Sequence, residues 1–460
     1  MEPTATVLSS SANLLKTIVG AGVLAVPYAF RNDGILVGSL LILLAAVTSA
    51  FGLFVLGKCS KTLINPRNSS FFTFCMLTYP SLSPLFDLAM FIQCFGVGLS
   101  YLVLIGDIFP GLFGGTREYW ILGSALLIVP LCTLRKLDSL RYSSILGLFA
   151  LGYISLLVLS IFVYDVILTD NYKAFRGDVY WFKVYDYSGL LSTFSIIIFA
   201  FTGSMNLCSI INELEDNSLS NISTVIGWSL SIATTLFMAI GITGYLTFGS
   251  NVSGNIILNY DADSPWVFLG KLCLGTMVIL SFPLLFHPCR ISVNNMIVWG
   301  KLKFEKQPHS ELNTRSSEIP IRLSIQDDDN ESLASDQTHE SHEAVVSVEN
   351  NTSITHDVPF PQRRFYVSTA ILLFVMFFLS LRVTSFALVL SLVGATGSTS
   401  ISFTLPGLFG YKLIGTDSLA VGQMVSPKDR FYRGCSALLV WFGLAVTFFS
   451  LYVIFFHGNN

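Results

Sequence analysis

Asn13-Leu-Leu-Lys16-Thr17-Ile-Val-Gly20-Ala21-Gly22-Val-Leu-Ala-Val-Pro27-Tyr-Ala-Phe30 is the stretch on which the fold turns. It is long and apolar enough to cross a bilayer. Yet it carries a lysine, two glycines within three residues and a proline where a plain lipid-facing helix carries leucines. That mixture predicts an interrupted helix. A break inside hydrocarbon strands N–H and C=O groups away from water, so it is tolerated only where protein or a polar cavity surrounds it. The remaining spans are therefore read as the enclosure of a functional centre.

Composition fixes the class. Apolar residues make up 52% of the chain and charged residues 12%, and the mean hydropathy is +0.66. Soluble domains carry roughly 25% charged residues, so this is an integral membrane protein embedded in the lipid bilayer. The apolar stretches are too long for core strands and recur along nearly all of the 460 residues, which predicts one polytopic membrane unit. The net charge of -3 says little about partners, and no basic cluster with interleaved aromatics points to nucleic acid. Eight scattered cysteines without a CxxC pair read as reduced thiols, not as a disulfide or metal framework. No cofactor or metal site is expected.

Working outward, the first residues lack the basic region and cleavage site of a signal peptide, so the first apolar span is expected to be retained. Windowed hydropathy predicts an all-α membrane protein of eleven transmembrane helices, near 6-30, 34-57, 82-113, 119-134, 143-168, 188-211, 221-248, 266-290, 365-382, 384-410 and 433-456. Residues 1-300 thus hold spans one to eight and 363-460 hold spans nine to eleven. With the N-terminus cytosolic, the inside loops hold eighteen Lys and Arg against seven outside, which sets that orientation and puts the C-terminus on the opposite face.

The segment 301-362 is the one shift in composition. It holds five basic and twelve acidic residues, including Asp327-Asp328-Asp329. It has too little apolar surface to repay chain ordering, which predicts a disordered acidic cytosolic loop. It reads either as a passive linker or as a segment for phosphorylation and regulatory partners. The Asn-X-Ser/Thr triplets at Asn68, Asn221, Asn330 and Asn351 fall on the predicted cytosolic side and Asn251 sits close to a span, so none is expected to carry a glycan.

A second interruption answers the first. Span six reads Phe199-Ala-Phe201-Thr202-Gly203-Ser204-Met205-Asn206 and continues to Ile211-Asn212-Glu213, with small and hydroxyl residues mid-membrane. Spans one and six are an odd number of crossings apart, so two five-span halves have opposite topology, the arrangement in which broken helices meet at the midplane. A lone glycine in a span is more often a close-packing position. Two Gly-centred breaks at matching places favour a site. Unpaired N–H groups around Gly20, Ala21 and Gly22 would face a carboxylate, and freed carbonyls near Phe201 and Thr202 an ammonium. An amino acid zwitterion offers both groups.

These two stretches, with Ser281-Phe-Pro283-Leu-Leu-Phe-His287-Pro288-Cys-Arg290 and Val393-Gly394-Ala-Thr396-Gly397-Ser398-Thr399 through Pro406 to Gly410, resemble the amino acid/auxin permease family, and within it the fungal vacuolar amino acid transporters. The run Asn65-Pro-Arg-Asn-Ser-Ser70 with the short N-terminus resembles the member linked to glutamine and proline export. The resemblance implies a LeuT-like fold, a 5+5 inverted repeat plus one extra helix with spans one and six broken, and proton-driven movement of amino acids from the vacuole lumen to the cytosol. The related acidic-substrate exporters carry Cys-His-His-Asn where this chain has Thr202 to Asn206, so only Asn206 matches and aspartate and glutamate are discounted.

The expected substrate-binding set is Thr17, Gly20, Ala21, Gly22, Phe201, Thr202, Gly203 and Ser204. The expected coupling set is Lys16, Asn206, Glu213 and His287. Sodium-coupled relatives place Asn at the position of Lys16, so an ammonium there favours protons over sodium. The other reading is a lysine that snorkels, since it lies about 12 Å from Leu8 at 1.5 Å per residue. Glu213 reads as a gate carboxylate or a helix-end charge. Asp107 and Asp165 read as span-end groups that are solvated or paired locally, and Arg290 as a positive-inside anchor beside His287, whose titration range a vacuolar gradient spans. No catalytic triad, carboxylate pair, P-loop or metal cluster is visible, so no enzyme or ATP-driven pump is expected. The sequence leaves an exporter of neutral amino acids, or an amino acid sensor that signals through 301-362.

Overall fold

The computed structural model describes residues 5–133, 141–169, 173, 175–182, 184, 189–261, 263–305, 360–416 and 424–456. Apart from one isolated bridge between Ala5 and Leu214, the described residues are helical or irregular. The helices are α1 Val7–Ile18, α2 Val26–Ser60, α3 Phe71–Thr78, α4 Ser83–Phe113, α5 Arg117–Thr133, α6 Arg141–Phe162 and α7 Leu190–Ala200. They continue with α8 Ser204–Glu213, α9 Leu219–Phe248, α10 Pro265–Glu305, α11 Gln362–Arg382, α12 Phe386–Val393, α13 Leu405–Leu413 and α14 Pro427–Phe456. Short polar residues start several of them by accepting an otherwise unpaired N–H: Thr6 from Ser9, Ser70 from Thr73, Ser218 from Asn221 and Ser385 from Leu388.

Nine helical stretches among the described residues are long and apolar enough to cross a membrane. The first, Ala21–Ser60, is 40 residues long and is not one rod. Gly34 takes φ 72°, which only glycine holds without strain. A Cβ on Gly38 would stand 2.9 Å from the Phe30 ring. In a straight helix eight residues rise about 12 Å, so that contact requires the chain to turn back at Gly34. The N–H groups left over at the restart are taken up by a neighbouring segment, Ile35 donating to the Tyr180 carbonyl at 3.0 Å and Leu36 to Trp181 at 2.9 Å.

Two groups of helices pack around the buried apolar core. In one, α1 and α2 lie against α7, α8 and α9; in the other, α4 and α10 lie together with α5, α6 and α11. The stretch Phe386–Leu413 runs between them, touching α4, α7 and α2, and 78% of its most apolar window is buried, whereas the last helix has 28% buried and stands at the edge. Span ten is α-helical only at its ends, because Gly394–Ser398 and Ser400–Thr404 wind as wider π turns. The glycines let backbones close in: a Cβ on Gly394 would collide with the Ser195 carbonyl, and one on Gly397 would lie 2.8 Å from the Gln93 nitrogen. Ser398 donates to Gln93 Oε1 at 2.8 Å in the same contact.

Three sequence expectations shift here. Helix α10 continues to Glu305, so the predicted start of the acidic segment at 301 still lies in a helix, and α11 begins at Gln362. Residues 306–359, the bulk of that segment, lie outside the described residues. Because α10 is so long, Arg290 falls inside the helix bundle and is 1% exposed, not an anchor at a membrane face. All eight cysteines are free, and Asp107 pairs locally with Arg117 at 3.3 Å.

Candidate functional site

The first interruption lies between Ile18 and Val26. Helix α1 closes with Val19 N–H on the Leu15 carbonyl, and Val19 then takes φ -79°, ψ 74°. Gly20 N–H folds back on the Ile18 carbonyl at 2.8 Å, an inverse γ-turn. A single 3-10 turn, Ala21–Ala25, follows before α2 starts with Pro27 in its first turn, where the missing N–H costs nothing. The fully non-helical residues are thus Val19 and Gly20, while Ala21 and Gly22 open a tight turn. Their N–H groups make no backbone hydrogen bond among the described residues.

The second interruption is shorter. Helix α7 ends with the Phe201 N–H shared between the Ile197 and Ile198 carbonyls, Thr202 and Gly203 are irregular, and α8 begins at Ser204. Ser204 is therefore helical, one step past the break. The carbonyls of Phe201 and Thr202 accept no backbone hydrogen bond among the described residues. Below them Phe201 stacks edge-on against Phe237 of α9 at 5.0 Å.

The two breaks hold each other. A Cβ on Gly22 would lie 3.0 Å from the Ala200 Cα and 3.2 Å from the Phe199 ring, so the turn of span one rests on the end of α7. Reciprocally, a Cβ on Gly203 would lie 2.8 Å from Ile18 and 3.2 Å from Leu14, at the end of α1. Asn206 Nδ2 donates to Thr17 Oγ1 at 2.9 Å, and Thr17 donates on to the Asn13 carbonyl at 3.0 Å. Gly20 differs from both other glycines, for a Cβ there would meet only the Thr17 carbonyl at 3.9 Å. Lys16, Thr17, Gly20 and Thr202 are half-buried and Asn206 exposed, whereas Ala21, Gly22, Phe201, Gly203 and Ser204 are buried.

Of the remaining coupling candidates, Glu213 is exposed at the end of α8, and its backbone carbonyl accepts from Ala5 N–H at 3.1 Å. It heads a dense clamp. Glu215 N–H returns a bond to the Ala5 carbonyl at 3.0 Å, Asn212 both accepts from and donates to the Ser69 backbone, and Arg67 donates to the Glu215 carbonyl at 2.9 Å. Lys61 reaches Asn217 at 2.9 Å; burial lowers its pKa from the ordinary lysine value, against the pull of Asp216. His287 stands elsewhere. Its Nδ1 is 3.2 Å from Arg290, which donates to the Cys132 carbonyl and Thr369 at 3.0 Å each and lies 3.7 Å from the Phe365 ring centre. Guanidinium only donates, so Nδ1 is the acceptor and the ring proton sits on Nε2. These partners of Arg290 come from α5 and α11.

Sequence reasoning passed over Asp33. It is fully buried, and Thr193 of α7 donates to its carboxylate at 2.8 Å, joining spans one and six a second time near the Gly34 bend. Lying in Arg31-Asn-Asp33-Gly34, it reads in sequence as a loop charge; its signal was that 34-57 follows with no room for a loop.

Two interrupted helices interlocked inside a helical membrane bundle are the architecture of a class of membrane transporters built around broken helices. The chain belongs to the transmembrane amino acid transporter protein family, whose pattern it matches over residues 3–449. It is 59% identical to vacuolar amino acid transporter 7 of Saccharomyces cerevisiae over 100% of both chains, and 34% identical to vacuolar amino acid transporter 5 of that yeast over 99% of both. Among solved structures it resembles MhsT in complex with L-phenylalanine, with a TM-score of 0.53 and 12% identity, over 97% of this chain and 100% of that one. It also resembles Mhp1, a nucleobase-cation-symport-1 family transporter, with a TM-score of 0.50 and 13% identity, over 98% and 92%. Both carry the LeuT-like fold, which is the fold of this chain. The protein is a transporter and not an enzyme.

Proposed function

We propose that this protein is a proton-coupled secondary transporter that moves neutral amino acids of the glutamine and proline kind from the vacuole lumen to the cytosol. One observation carries the reading. Donors at buried Ala21 and Gly22 and acceptors at buried Phe201 and half-buried Thr202 stand without backbone partners among the described residues, at two breaks that touch. Buried backbone polar groups are almost always paired, so a ligand or water belongs there, and an amino acid has one end for each set. The vacuolar membrane and the solute class rest on the names of the two yeast relatives.

The finer architecture follows the same reading. Splitting Ala21–Ser60 at Gly34 and adding α5, at 17 residues, gives eleven crossings, with the peripheral last helix outside two five-span halves. The excess of Lys and Arg then places the N-terminus in the cytosol and the C-terminus in the lumen. Efflux of each common amino acid from isolated vacuoles, with and without a proton uncoupler, tests the function. Glutamine and proline should leave only while the proton gradient stands. Efflux that persists at full rate with uncoupler removes the coupling, and vacuoles lacking the protein that release both at the normal rate remove the function.

A further inference from the structure

A second site lies far from the breaks, where span ten hands over to the last helix. Helix α13 ends at Leu413, Gly415 turns the chain with φ 80°, and α14 starts at Pro427. Between these ends is a cavity of about 490 Å³ lined by Tyr411, Met424, Val425, Arg430, Arg433 and Gly434, a volume in the range of small-molecule sites. It stands at the same end of the bundle as the last turn of α2, because Lys58 there bridges to Asp429 at 2.7 Å.

That bridge decides the charge of the cavity. Lys58 also sits 4.6 Å from the Tyr432 ring centre, so the one described carboxylate in the first turn of α14 is already matched. Arg430 and Arg433 in the wall have no carboxylate partner among the described residues. Arg433 is held ready: its Nε donates to the Tyr411 carbonyl at 3.0 Å and its guanidinium lies 5.4 Å from that ring, which leaves its terminal nitrogens for another acceptor. The floor is open at Gly434, where a Cβ would meet nothing within 4 Å. The flank is apolar and uncovered, with Met424 91% and Phe431 67% exposed.

Two guanidinium forks beside an apolar ledge call for an amphiphile with a phosphate head. Arginine binds phosphate oxygens through paired N–H bonds, and basic pockets between membrane helices take lipid headgroups. We propose that this cavity binds an anionic phospholipid whose headgroup bears a phosphomonoester, its acyl chains lying along Met424 and Phe431. A phosphomonoester is a dianion and satisfies both forks, where a single diester phosphate presents one charge to two cations.

The test uses the full chain purified in detergent and a fluorescent short-chain phosphatidylinositol phosphate as probe. Displacement is by vesicles of phosphatidylcholine alone, or of phosphatidylcholine mixed with phosphatidylserine or with phosphatidylinositol phosphate. The last mixture should compete far better than the others. Arg430→Gln with Arg433→Gln should weaken binding roughly thirtyfold, at the usual contribution per basic residue. Gly434→Leu should weaken it comparably by filling the cavity, at an unchanged Tm, since the side chain enters open space and glycine is a poor helix former. Unchanged affinity in both variants overturns the site. Equal competition by phosphatidylserine overturns the phosphomonoester. If soluble inositol phosphate binds as tightly as the lipid and Met424→Ser changes nothing, the ligand is a free phosphate and the lipid assignment fails.

Discussion

The two interruptions carry the same sequence signal, glycine among small and hydroxyl residues inside an apolar span, and use it differently. In span one Gly20 faces open space, and Gly22, two residues on, is pressed against Ala200 and Phe199. In span six the single Gly203 is pressed against Ile18 and Leu14. A glycine at a break thus does one of two things: it leaves open space, or it lets the end of another helix come close. Only Gly20 does the first. The contacts at Gly22 and Gly203 are what bring the two breaks against each other.

Substituting the glycines separates these roles. Gly22→Val should have the largest effect, with transport lost and Tm lowered, because overpacking against a backbone Cα costs about 1–3 kcal/mol. A stably folded Gly22→Val protein with normal transport breaks the contrast outright. Gly20→Ala should leave Tm unchanged, since φ -101° suits alanine and no atom obstructs the methyl. Its apparent affinity for substrate should fall about tenfold, as expected when a ligand is displaced by a fraction of an ångström. Unchanged KM would move the substrate away from this break.

Lys16 lies one turn before the open glycine, in the last turn of α1, and the sequence of span six, 188-211, has no lysine or arginine. Lys16→Asn should remove the dependence of transport on lumenal pH and slow it several-fold; an unchanged pH profile in flux assays would leave the lysine as an interface anchor. The smallest effect belongs to the bond between the halves. Asn206→Ala should lower stability by about 0.5–1.5 kcal/mol, Thr17→Val by somewhat more because it also deletes the bond to the Asn13 carbonyl, and the double variant by no more than Thr17→Val alone, because the bond between the two side chains is lost in either. Additive losses in thermal unfolding would mean that Asn206 has another task.

Much of this was legible in the chain. The runs Asn13–Phe30 and Phe199–Glu213 announced helix interruptions because glycine and polar residues inside hydrocarbon need a reason. The role of each glycine was hidden, because the atoms that cover Gly22 lie about 180 residues away and no local pattern encodes them. Arg290 was misread for a related cause: the apolar run ends there, but the helix does not, and about four more turns of α10 carry it past the point where hydropathy falls. Asp33 escaped notice because a tight bend at a glycine leaves no loop, so a charge that belongs to a turn in sequence is enclosed by packed helices in space.

The bonds among Ala5, Ser69, Arg67 and residues 212–217 have a mechanical consequence. The head of α1, the connection before α3 and the tail of α8 are three separate pieces of chain, yet each is fastened to both or one of the others through main-chain groups. Fastened so, they have one joint freedom of movement and not three. Any swing of α8 at this end draws the first helix and the 61–70 connection with it, like ropes tied to one cleat, and they come loose together or stay put together.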